Sequence, residues 1–253
     1  MDKFFEDDDL DFGLSKPKKV YRGAFNYLRA NSVYSEEAFE VWRDRKEMTY
    51  NYVSEIHSRV STGELLKVFI NYQVGKDFIP VRVVVKKDLG KEKTEETYSF
   101  NSKKNILDYQ FKNRRVKEKL EISTPPRFHI ATPAACCSMM FILTKKFDST
   151  GKNLYSVFTC DNKWDYESPP EQKSLALERV SITSESVMIN EQEVQAIQYR
   201  LYEDPKNEDH KNIVKPPGIN VWLSRHIAIP YSLTSDDGTK ITVKYLNHLE
   251  SED

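Results

Sequence analysis

The sequence is poor in glycine and cysteine and has no long apolar run, and each shortage removes a class of protein. Eight glycines in 253 residues form no glycine-rich loop able to cradle a phosphate, and no Gly-x-Ser-x-Gly elbow is present. Three cysteines, Cys136, Cys137 and Cys160, do not make a disulfide framework or a zinc motif, and they suit a reducing compartment. The adjacent pair reads as core packing, not as redox or metal chemistry. The longest apolar stretch, Ile130 to Leu143, falls short of the about 20 residues that cross a bilayer as a helix. A surplus of one charge is also missing. With 38 basic and 39 acidic side chains there is no global positive field, so nucleic acid is not an expected partner.

What is present is a globular composition: 39% hydrophobic, 12% aromatic and 30% charged, enough to fill a core. The chain starts Met1-Asp2-Lys3-Phe4-Phe5 and runs directly into Glu6 to Asp9. It lacks the basic start and continuous apolar stretch of a secretory signal, so a cytoplasmic location is expected unless a leader has been trimmed. Residues 1–20 divide into an acidic and then a basic piece, which reads as a solvated, disordered tail. A sharper reading takes Phe4, Phe5, Leu10 and Phe12, interleaved with the acids, as a partner-docking motif.

Residues 21–253 read as a single domain. From Tyr21 to Arg59 two readings stand equal: a helix capped by Ser35 and running through Trp42, or strands built on Phe39-Glu-Val-Trp. Beyond that, alternation dominates. Val68, Ile70, Tyr72 and Val74 share one face, Ile79, Val81, Val83 and Val85 another, and Tyr98, Phe100, Leu107, Tyr109 and Phe111 continue the pattern. A run from Val116 to Ile122 stops at Thr124-Pro125-Pro126. Strands resume from Leu154 to Leu246, with Asp237-Gly238 supplying a hairpin turn.

One stretch breaks the alternation. Thr132-Pro133 is a good helix start, and from Ala134 to Phe147 no polar stripe appears before Lys145. A helix over about 133–147, apolar nearly all round, must be enclosed. The expected fold is therefore mainly β: one long curved antiparallel sheet, an open or half barrel, wrapped around one buried apolar helix.

Val194-Gln-Ala-Ile-Gln-Tyr199, Ile219-Asn-Val-Trp-Leu-Ser224, Ile229-Pro230 and Asp237-Gly-Thr-Lys-Ile-Thr-Val243, in that order, resemble the closing strands of curved antiparallel-sheet proteins distantly related to bacterial lipoprotein carriers. Tyr98-Ser-Phe100 and Leu107-Asp-Tyr109 resemble their central hairpin. The resemblance covers about residues 60 to 250 in pattern and implies a half-barrel that holds a lipid, an inference by analogy alone.

Catalytic chemistry is hard to find. His57, His129, His210, His226 and His248 lack the three- or four-residue spacing of ligands on one helix face. Paired acids such as Glu95-Glu96 and Asp236-Asp237 read as solvated surface. Lys112, Arg114, Arg115, Lys117 and Lys119, near Tyr109 and Phe111, could meet phosphates but also suit the guarding of a sheet edge. No enzyme activity, metal or cofactor is expected. The expected role is binding: a hydrophobic small molecule or partner segment held in the concave face by Met139, Met140, Phe141 and Leu143, which equally suit a closed core. The alternative is a structural or adaptor protein acting through its tail and loops.

Overall fold

The computed structural model describes residues 16–146, 151–189, 191–204, 216–224 and 227–249. The tail residues Phe4, Phe5, Leu10 and Phe12 lie outside them, as does most of the loop between Glu203 and Pro217. Alternating sequence becomes sixteen strands: β1 (Lys18–Arg29), β2 (Ser32–Asp44), β3 (Thr49–Arg59), β4 (Leu65–Val74), β5 (Pro80–Leu89), β6 (Glu92–Asn101), β7 (Ile106–Lys112), β8 (Lys117–Ser123), β9 (His129–Ile130), β10 (Lys152–Thr159), β11 (Glu171–Arg179), β12 (Glu185–Ile189), β13 (Gln192–Glu203), β14 (Gly218–Leu223), β15 (Pro230–Ser235) and β16 (Lys240–His248). The ambiguous Tyr21–Arg59 stretch forms strands β1 to β3, joined by turns at 30–31 and 45–48. Ser35 caps no helix; its hydroxyl donates to the His57 carbonyl at 3.0 Å across the β2–β3 ladder.

The strands form one sheet in the order β8-β7-β6-β5-β4-β3-β2-β1-β16-β15-β14-β13-β11-β10-β9, with β12 pairing only to β13. All pairings are antiparallel except β9 with β10. The chain thus begins at the middle of the sheet, meanders to one edge, crosses to the other and returns to the middle at β16. The crossing fixes the shape. Ser123 ends β8 and His129 begins β9, so six residue steps, at most about 20 Å, join the two edges. A flat sheet of this many strands would hold its edges far further apart, so the twist must curl it into a barrel-like wall. Phe128 marks the closure, meeting Phe100 of β6 at 4.9 Å and Phe158 of β10 at 5.6 Å between ring centroids.

The inward faces supply the core. On β4, Val68, Ile70, Tyr72 and Val74 are buried while Lys67 and Phe69 stand outward. Val83, Val85, Tyr98, Leu107, Tyr109 and Phe111 continue that layer.

The expected helix over 133–147 does not form. Among the described residues there is no α-helix, only a 3-10 turn at Met140–Thr144 preceded by further turns. The burial argument nevertheless holds in the structure, since Ala134, Ala135, Cys136, Cys137, Met139, Met140 and Phe141 are buried. The backbone bonds are i to i+3, from Ser138 N to Ala135 O, Met140 N to Cys137 O and Ile142 N to Met139 O, the pattern of tight turns. Two hydroxyls help to explain this. Ser138 donates to Ala135 O at 2.8 Å and Thr144 to Phe141 O at 2.7 Å, competing for carbonyls that a helix ladder would use. The amides of Ala135 and Cys136 are also held from outside the segment, by β2. Lys145 does not neutralise a helix end; it donates to Leu154 O at 2.5 Å and lies over the Tyr155 ring at 4.6 Å.

Gly23 sits at the middle of the sheet under the Phe39 ring. A Cβ there would lie 2.5 Å from Phe39 and 2.8 Å from the Tyr245 carbonyl oxygen. Gly23→Ala is therefore expected to lower unfolding free energy by about 1–3 kcal/mol, the usual cost of overpacking, as measured by urea denaturation. An unchanged midpoint would show that β1 has room to shift.

Candidate functional site

The concave side of the sheet is organised by a buried carboxylate. Glu37, at an inward position of β2, is 1% exposed. Its Oε2 accepts the Tyr27 hydroxyl at 2.6 Å and the Ala135 N–H at 2.8 Å; its Oε1 accepts the Ser54 hydroxyl at 2.9 Å and the Cys136 N–H at 3.2 Å. A carboxylate removed from water is costly unless its oxygens are occupied, and here four donors from β1, β3 and the turn segment occupy them. Burial, reinforced by the Glu37 charge, pushes the Tyr27 phenol well above its usual range. Burial also raises the Cys136 thiol, with Cys137 and Glu37 adding to it, so this side chain is a packed apolar group and not a ready thiolate.

Next to this lies a second buried pair. The Tyr72 hydroxyl and His129 Nδ1 are 2.9 Å apart, with the rings stacked at 5.3 Å, and Ile130 N–H donates to the same hydroxyl at 3.0 Å. The hydroxyl can accept from Ile130 and still either donate to Nδ1 or accept from it, so the two rings are tied together in either imidazole tautomer. Burial lowers the His129 pKa to about 3. The imidazole is thus a neutral strut between β4 and β9. At the end of the wall where residues 160–168 pack, Glu96 repeats the arrangement: Lys87 reaches its Oε1 at 3.0 Å and the hydroxyls of Tyr98 and Tyr109 reach its Oε2 at 3.0 and 3.3 Å. Lys87 also donates to Asn162 O, and Asn162 to the Tyr109 hydroxyl. Both clusters tie distant segments together. Sequence reasoning missed them, because an inward Glu in an alternating strand carries no signal of its partners.

The four concave-face residues separate into two environments. Met139 and Met140 are wholly buried, and Phe141 packs on Tyr155 at 4.7 Å and on His129 at 5.4 Å. Leu143 is 38% exposed. It lines a cleft of about 220 Å³ together with Ile142, Ile197, Tyr199, Leu223, Ile227, Ser224 and Arg179. Arg179 donates to Ser181 O at 2.8 Å and to Ile182 O at 2.5 Å. The turn it holds carries the Ile182 side chain into solvent, 89% exposed.

Neither a family model nor a curated protein matches the sequence. Among solved structures, the chain is similar to a beta-barrel-like protein of domain of unknown function DUF1849 from Brucella abortus. The two share 11% identity over 92% of this chain and 98% of that one, with a TM-score of 0.54. At that identity the likeness concerns the fold alone: a large curved, mostly antiparallel open sheet.

Two outcomes follow from the buried groups. Replacing Glu37 by Gln leaves the shape but turns an NH₂ toward hydrogen-bond donors, so a loss of about 2–5 kcal/mol is expected in chemical denaturation; a loss below 1 kcal/mol would show that the carboxylate is incidental. His129 has a folded pKa below its unfolded value of about 6.5, so the unfolded state binds the proton first as pH falls. Stability from this group is complete above about pH 6.5 and declines by about 1.4 kcal/mol per unit toward pH 3. Urea unfolding at pH 7.5 and 5 should show the decline, and His129→Asn should flatten it.

Proposed function

We propose that this is a non-catalytic binding protein that seats an apolar segment of a partner protein in the cleft beside Leu143. The observation that carries the reading is the division of the concave-face residues. Met139, Met140 and Phe141 fill the core, while Leu143 opens onto a mainly apolar cleft whose Arg179 also holds the turn bearing the exposed Ile182. Exposed apolar groups grouped around a concavity mark contact sites.

Size favours a partner side chain over a whole lipid. The cleft, about 220 Å³, is smaller than the roughly 300–1,000 Å³ of sites that enclose drug-sized ligands. The carrier role suggested by the closing strands therefore has less support than docking of one or two apolar side chains at the rim. The titratable groups within the wall support the same reading. His129, Cys136 and Tyr27 are shifted in the directions that keep them neutral, which suits struts better than acids or bases.

The neutral dye N-phenyl-1-naphthylamine tests the cleft. Saturable fluorescence enhancement is expected for the native chain, reduced at least about tenfold in affinity, about 1.4 kcal/mol, by Leu143→Asp with an unchanged melting temperature. Equal dye binding by the variant would remove the cleft from the account. Native mass spectrometry showing a lipid-sized adduct on freshly purified protein would restore the carrier reading in its place.

A further inference from the structure

The outer face of β5–β8 carries a feature that the apolar cleft does not explain. Register places Lys86 opposite Glu95, Glu95 opposite Lys112, and Lys112 opposite Lys117, so a row across four strands holds three lysines and one carboxylate. Lys86 already engages that carboxylate at 3.4 Å. Lys112 and Lys117 face each other with like charge, an arrangement that destabilises a ladder. Between them the turn adds Arg114 and Arg115. Among the described residues none of these four cations forms an ion pair.

The turn that presents them is fixed. Asn113 Oδ1 accepts the N–H of Arg115 at 2.8 Å and of Val116 at 2.7 Å, while its Nδ2 donates to Trp164 O at 2.8 Å and to Asp165 Oδ1 at 3.3 Å. Below it opens a cleft of about 420 Å³ lined by five basic side chains against the carboxylates of Asp88 and Glu95. The ion pairs account for three of the five: Lys86 with Glu95, Lys93 with Asp88 at 2.5 Å, and Lys87 with Glu96 beneath the floor at 3.0 Å. Among the described residues Lys112 and Arg114 have no ion-pair partner, in a chain whose overall net charge is −1. Edge protection explains Lys117 and Lys119 on β8, the last strand of the sheet. It does not explain Lys112, on a strand paired on both sides, or Arg114, in the turn.

We propose that this cleft binds a phosphate group. A dianionic phosphate ester offers three strong acceptor oxygens. It matches two uncompensated cations better than a singly charged carboxylate does, and the Arg114 guanidinium can meet two of those oxygens at once. The cleft volume lies within the range of small-ligand sites. Bound phosphate would also sit beside the Lys112–Lys117 pair and relieve its repulsion.

The test is titration of the full chain with inorganic pyrophosphate by calorimetry, alongside flotation with phosphatidic acid vesicles, for the native protein and for K112A/R114A. Saturable pyrophosphate binding weakened at least about tenfold in the variant, whose melting temperature is equal or higher, supports a soluble phosphate ligand. Vesicle binding without pyrophosphate binding, lost in the variant, supports a lipid headgroup as the source. The absence of saturable binding in both arms, or equal binding by native and variant protein, overturns the proposal. Since Leu143 lies on the concave side, failure here leaves the apolar cleft untouched.

Discussion

The architecture depends on one carboxylate sealed off from bulk solvent. Glu37 lies on β2, close to the middle of the sheet, and receives donors from β1, β3 and the Ala135–Cys136 backbone. A buried charge is tolerable only when saturated with hydrogen bonds, so β1, β3 and the turn segment are specified together. The apolar surface of Ala134 to Phe141 supplies the drive toward the interior. The carboxylate supplies the position and orientation, which hydrophobic burial alone, being non-directional, does not.

From that constraint the rest of the wall follows. Once the turn segment is pinned inside, Phe128, His129 and Ile130 just before it pack against β4, β6 and β10, which holds the two halves of the sheet facing each other. Glu96 does the same work at the end where residues 160–168 pack, drawing Lys87, Tyr98 and Tyr109 together beneath Asn162. The interior is thus occupied by side chains and polar struts. The two proposed binding sites accordingly lie outside that interior, at the rim beside Leu143 and on the outer face near Lys112.

Much of the strand order could be read from the chain, because period-two alternation records which residues face in. Val68, Ile70, Tyr72 and Val74 show it directly. The curl was legible as well, since a sheet this long has to bend. No helix forms over 133–147 because burial and helicity are separate properties. An uninterrupted apolar run demands enclosure, but its backbone geometry was decided by Ser138, Thr144 and a glutamate about a hundred residues away. Tyr21–Arg59 was ambiguous for a related reason: Ser35 is an ordinary helix cap in local context and becomes a cross-strand donor only when β3 is present. Of the candidate site residues, sequence grouped Met139, Met140, Phe141 and Leu143 but had no means to separate the three that point into the core from the one at the rim.

Amide hydrogen exchange at Ala135 and Cys136 tests the central claim most directly. If Glu37 holds these amides, they should exchange only through global unfolding, with protection equal to that of the inward residues of β4 and falling in step with denaturant. Exchange at the rate of exposed turns such as Asp236–Gly238, in a protein whose strands remain protected, would mean that the segment opens independently and that the buried carboxylate does not organise the wall.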